Sequence, residues 1–163
     1  PPDQGPDQGA AREPGDPDYG QVLGGFVHHT AGTNSYSQSD VPGIIRSIYA
    51  YHVESRGWKD IGYNFVVDRF GRIWEGRYGG VDRAVIGAHT QGYNDDAFAM
   101  SAIGTYTSTV PEAAVLSAYQ QLFAWKFSVH GVDPRRPVTY DGESWPAIAG
   151  HRDAGMEAEL QVE

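Results

Sequence analysis

The chain has 163 residues, 40% hydrophobic and 20% charged, with 4 Trp, 10 Tyr and 6 Phe, which predicts one globular domain burying roughly 70% of its unfolded surface and excludes a disordered or collagen-like chain. It contains no cysteine, so disulfide staples, a thiolate nucleophile, an iron–sulfur cluster and thiolate-ligated zinc are excluded within these residues. Of the net charge of −9, residues 1–20 and residues 153–163 each hold −4, leaving −1 for the body, so no basic footprint for nucleic acid or an anionic membrane is expected, and no apolar run reaches the ~20 residues of a membrane span.

The opening PPDQGPDQGAAREPGDPD repeats PDQG at positions 2–5 and 6–9. Such a polar segment cannot bury enough apolar surface to offset its ordering entropy, so residues 1–20 read as a mobile tail or linker. They lack the cationic start and apolar run of a signal peptide, although one removed earlier would fit a secreted protein. Residues 21–163 are then the domain.

Gly25–His29 reads as a buried strand stopped by Thr30-Ala31-Gly32. Asp40 is placed to cap a helix reaching about Val53, with Pro42 in its first turn and Ile44, Ile45, Ile48, Tyr49 and His52 on one face. Tyr63–Asp68 and Arg72–Glu75 predict a hairpin, and short strands follow at Ala84–Gly87 and Ser101–Tyr106. A second helix begins near Pro111 and runs to about Val129, with Val115, Leu116, Tyr119, Leu122, Phe123 and Phe127 inward and Gly131 as its stop. A last strand enters Gly150-His151. Strands and helices do not alternate strictly, so the expected fold class is α/β: a single domain with a central mixed β-sheet flanked by helices.

Histidines are the residues most able to carry chemistry here. His130 ends a helix, where an imidazolium suits the negative dipole end, and His52 reads as a half-buried member of an apolar face. His28 and His29 point to opposite sides of a strand that runs into a small-residue turn, and His151 stands at another strand end. Two imidazoles at strand ends are a start for a zinc site, which in catalytic form needs three protein ligands and an open position. The spacing alone leaves open whether they ligate or merely pack, because no HExxH or CxxC element is present.

Five ordered segments, VHHTAG, IRSIYAYH, RGWKDIGYNFVVDRFGRIWEGR, VIGAHTQGYND and GHRDAG, span about Phe26 to Gly155. Together they resemble the peptidoglycan recognition protein and N-acetylmuramoyl-L-alanine amidase (amidase type 2) family, in its actinobacterial secreted form. The resemblance implies a zinc-dependent amidase with a muropeptide groove. By position it makes His28 and His151 zinc ligands and Tyr63 the catalytic tyrosine that orients or deprotonates the zinc-bound water. His29, Thr30, His52, His89 and Asn94 would line the groove. The implied partner is peptidoglycan, at the cell wall or outside the cell; charge and hydropathy add no nucleic acid and no membrane span, and the oligomeric state is left open, with a monomer as the expectation.

The resemblance breaks at Met156, where the family continues with a Thr-x-Cys-Pro-Gly-like element and this chain reads Met156-Glu157-Ala158-Glu159. Glu159 stands where the third metal ligand is expected, and a His₂Glu set is an established zinc arrangement. Glu157 stands where the family contacts the developing oxyanion, and it becomes the candidate proton donor to the leaving amine. The alternative is a solvated acidic end. Two functions follow: zinc-dependent hydrolysis of the N-acetylmuramoyl-L-alanine amide, or a non-catalytic peptidoglycan-binding module with an incomplete zinc site.

Overall fold

A computed structural model describes residues 13–155. Its centre is Gly24–His29 (β1) beside Ala97–Ala102 (β4), two parallel strands paired from Gly24↔Ala97 to His29↔Ala102. Phe65–Val67 (β2) extends the sheet in parallel beyond β4, and Ile73–Glu75 (β3) closes that edge antiparallel. Ile148–Gly150 (β7) joins β1 in parallel on the other side, giving the order β3-β2-β4-β1-β7. A separate antiparallel hairpin pairs Val138–Tyr140 (β5) with Glu143–Trp145 (β6).

Alternation along the strands assigns each face its helix. Phe65, Val67, Phe98, Met100 and Ala102 pack against Val115, Leu122, Phe123 and Phe127 of Ala113–His130 (α2). Gly25 is required on this face, because a Cβ there would stand 2.7 Å from both the Phe98 and Phe123 rings. On the opposite face, Val41 and Ile48 of Val41–Ala50 (α1) meet Tyr63, Val66 and Ile103, while Phe26, Ala97, Ala99, Tyr140 and Ala149 form a neighbouring cluster. The result is the expected mixed sheet between helices.

Several expected elements shift. Pro42 sits in the first turn of α1 as anticipated, but Asp40 turns its carboxylate back to accept from Ser37 N and Oγ, both at 2.7 Å, and does not cap the helix. Beyond Ala50 the helix widens into a π turn over Tyr51–Ser55, closed by Arg56 N–H on the Tyr51 carbonyl. Leu116 lies outside the buried stripe of α2 and is exposed. Gly131 ends α2 in the left-handed conformation, as its position predicted.

The strand expected at Ser101–Tyr106 begins four residues earlier, because Ala97–Ala102 is buried on both faces and shows no polar alternation. Ala84–Gly87 forms no strand; Val85 makes one isolated bridge to Tyr19, and nearby carbonyls of Val81 and Arg83 accept from the buried Lys126 Nζ. Residues 13–20, expected in the mobile tail, are tied down: Gly15 N–H donates to the Lys59 carbonyl, Ile86 N–H to that of Asp18, and Gly20 N–H to that of Ala84. The rest of that segment, residues 1–12, lies outside the described residues. No helix among the described residues is long and apolar enough to cross a membrane.

Candidate active site

The parallel register brings two distant histidines together. Val27 pairs with Gly150 across β1 and β7, so His28, still on β1, and His151, the first residue past β7, come next on adjacent chain segments, and their ring centroids are 4.3 Å apart. They stand at the carboxyl ends of parallel strands, where an open α/β sheet leaves room for a ligand. His28 is buried and His151 half-buried. His151 opens a 3₁₀ turn that Asp153 fixes by accepting the Gly150 N–H at 2.7 Å.

Burial, followed by the neighbouring His89 and His151, holds the His28 pKa well below its ordinary range. Burial and then His29 lower that of His151. Both rings are therefore neutral near pH 7, the form in which imidazole ligates a metal.

Tyr63 leads into β2 and stands beside His28, ring centroids 5.6 Å apart. It is fully buried, and its hydroxyl has no hydrogen-bond partner among the described residues. Burial pushes its pKa up to about 12, and the Ser101 hydroxyl, which faces it without reaching hydrogen-bond geometry, pulls the other way. Ser101 pairs in register with both His28 and Val66, and its buried hydroxyl is likewise unpartnered. An unsatisfied buried hydroxyl costs stability, so two beside a histidine pair mark a place where packing has yielded to another demand.

The residues expected to line a groove fall differently. His89 and Thr90 have no exposed surface. The His89 ring is engaged at both nitrogens, Nδ1 with Thr90 Oγ1 at 2.9 Å and Nε2 with the Ala97 carbonyl at 3.1 Å. His52 is also fully buried: its Nδ1 accepts the Gly62 N–H at 3.0 Å, its Nε2 is unpartnered among the described residues, and its ring lies 4.6 Å from that of Trp58. Thr30 is buried and accepts the Gly104 N–H. Asn94 is half-buried and spends its Oδ1 on the N–H groups of His89 and Thr90. His52, Thr30 and His89 thus lie in the interior. His29 is half-buried, its Nδ1 accepting the Tyr106 N–H. His130 does not serve as the expected imidazolium, since burial and Lys126 lower its pKa.

Two neutral imidazoles fit a zinc ion as far as they go. Among the described residues no group of three His, Cys, Asp or Glu could hold a metal. Glu157 and Glu159 lie outside the described residues. Ser101 went unnoticed in the sequence; its one signal is a lone hydroxyl inside the apolar run AFAMSA.

A family model described as N-acetylmuramoyl-L-alanine amidase matches residues 18–159. The chain belongs to the amidase type 2 and peptidoglycan recognition protein family. It is 38% identical over 97 residues to peptidoglycan-recognition protein SC1a/b of Drosophila simulans, covering 60% of this chain and 50% of that one. It is 38% identical over 112 residues to the human N-acetylmuramoyl-L-alanine amidase, covering 66% of this chain and 19% of that protein. The amidase-family chain thus spans half or less of the length of these relatives. Among solved structures it resembles Drosophila PGRP-LB at TM-score 0.71 and 28% identity, covering 88% of this chain and 78% of that one. It also resembles peptidoglycan recognition protein-LE in complex with tracheal cytotoxin, a monomeric diaminopimelic acid-type peptidoglycan, at TM-score 0.69 and 32% identity, covering 86% of this chain and 76% of that one.

Proposed function

We propose that the chain binds peptidoglycan fragments and hydrolyses the amide between the N-acetylmuramoyl lactyl carbonyl and L-alanine, acting at the cell wall. The observation that carries this reading is the approach of His28 and His151 to 4.3 Å between ring centroids beside the unpartnered hydroxyl of Tyr63. His28 and His151 would hold zinc, with Glu159 as the proposed third ligand. When bound, zinc supplies an activated water and polarises the scissile carbonyl.

The chain's own groups do the rest. Tyr63, whose pKa burial raises, would act as an O–H donor orienting a reacting oxygen. Glu157 is the proposed proton source for the leaving amine. His29, half-buried at the end of β1, remains the groove residue best placed to meet a muropeptide. The structural relative solved with tracheal cytotoxin supports a muropeptide as the ligand class.

A second reading, muropeptide binding without hydrolysis, is favoured by the lack of any cysteine to act as the family's usual third ligand. Zinc per chain after dialysis and release of stem peptide from muropeptide, measured together, separate the two. The amidase reading expects about one zinc in wild type, loss of zinc and hydrolysis in both His151→Ala and Glu159→Ala, and turnover lowered by roughly 10²–10⁴-fold in Tyr63→Phe with metal retained. Muropeptide binding without zinc or hydrolysis in wild type would establish the second reading. Full zinc and activity in Glu159→Ala would remove Glu159 from the site.

A further inference from the structure

His28 is held from behind by a chain of hydrogen bonds whose direction can be worked out atom by atom. The Ala97 carbonyl can only accept, so His89 Nε2, 3.1 Å away, must carry a proton. His89 is fully buried and, among the described residues, its ring nitrogens meet only Thr90 and the Ala97 carbonyl and no carboxylate, which keeps the ring neutral and its Nδ1 bare. Thr90 Oγ1, 2.9 Å from that Nδ1, must then donate its only proton to it. Toward His28 Nε2, at 3.0 Å, the same oxygen has only lone pairs left, so His28 Nε2 carries the proton. A neutral His28 protonated at Nε2 leaves Nδ1 bare, and among the described residues that nitrogen makes no hydrogen bond.

We propose that Thr90 and His89 are positioning residues: a relay anchored on the Ala97 carbonyl that fixes His28 as its Nε2–H tautomer and reserves Nδ1 for a metal. The metal half of this inference rests on the zinc reading above, while the tautomer half does not. The surroundings hold the relay in place. Asn94 Oδ1 grips the N–H groups of both His89 and Thr90 at 2.8 and 2.9 Å. Gly87 packs so closely that a Cβ would stand 2.5 Å from the His89 ring. A neutral imidazole presents one bare nitrogen, and which one is set by the hydrogen bond made by the other.

The test begins with histidine ¹⁵N correlation spectra of the metal-free wild-type chain, which report which nitrogen is protonated. The expected spectrum has His28 with Nε2 protonated and Nδ1 bare, and His89 in the same tautomer. Thr90→Val, which keeps the shape and removes the hydroxyl, should release His28 into a mixture of tautomers and weaken zinc binding by roughly 10–100-fold in competition with a chelator. Thr90→Ser should restore both. Protonation of His28 at Nδ1 in wild type, or an unchanged tautomer and zinc affinity in Thr90→Val, would overturn the relay. A wild-type chain with the expected tautomer that binds no zinc supports the relay and overturns the metal reading instead. The wild-type spectrum needs no variant, so a Thr90→Val chain that fails to fold leaves the test standing.

Discussion

The two faces of one sheet have been put to different uses. Toward α2, Phe65, Val67, Phe98, Met100 and Ala102 meet a helix stripe of Val115, Leu122, Phe123 and Phe127, a core of apolar side chains. On the other face the same strands and their loops carry His28, Ser101, Tyr63, His89 and Thr90, all buried. The unpartnered hydroxyls of Tyr63 and Ser101 and the unpartnered His52 Nε2 belong to that polar region. Residues adjacent in sequence, such as Met100 and Ser101, therefore serve opposite ends, because a strand turns each successive side chain to the other face. One face supplies cohesion; the other spends part of it to keep ionisable and hydroxyl groups away from water.

The sharpest way to break this division is to damage the apolar face. Phe98 is buried against Phe65, Phe123 and Phe127, and Phe98→Ala should cost about 3–5 kcal/mol, the range for removing a core aromatic. Denaturant unfolding measures it. A loss under about 1 kcal/mol would mean that the α2 face is not the main source of cohesion.

The polar face should reveal itself through pH. Burial lowers His52 from 6.5 to about 4 and His89 from 6.5 to about 3. The unfolded chain takes up these protons near pH 6.5 while the folded chain resists, so the stability involved is fully present above that pH and is lost as pH falls toward the folded values. Between about pH 7 and about pH 5 each such histidine should cost roughly 2 kcal/mol. His28, His29, His130 and His151 are lowered as well and act in the same sense. Equal denaturation midpoints at the two pH values would mean that these rings are charged inside the fold.

The contrast between faces also explains what could be read from the sequence. The α2 face was legible because it is written as periodicity: the stripe from Val115 to Phe127 repeats at helical spacing, and Leu116, misplaced by one position, is the cost of judging a helix edge without its partner. The metal pair is not written locally. His28 and His151 are 123 residues apart and meet only because Val27 pairs with Gly150, so their association came from family resemblance and not from spacing. The groove positions of His52 and His89 likewise came from family resemblance; His52 by itself reads as half-buried on an apolar face, and neither local segment names the partners of the two rings. The Gly62 N–H and the Ala97 carbonyl that engage them come from other parts of the chain. The β5-β6 hairpin was missed although its two-residue turn, Asp141-Gly142, both at positive φ, is itself a hairpin signal in the sequence.

The smallest effect on stability should come from Tyr63, and its sign is what matters. The ring is fully buried between His28 and His52, with centroids 5.6 Å from each, so Tyr63→Phe keeps nearly all of its packing. What it removes is a hydroxyl with no partner among the described residues, whose burial costs about 1–3 kcal/mol when nothing satisfies it. The variant should therefore be more stable than wild type by about 1 kcal/mol, seen as a melting temperature raised by roughly 2–4 °C. A loss of similar size would show that the hydroxyl is bonded in solution and belongs to the structural network. A gain places Tyr63 with the groups kept at the expense of stability, as expected of a donor whose partner arrives only with the substrate.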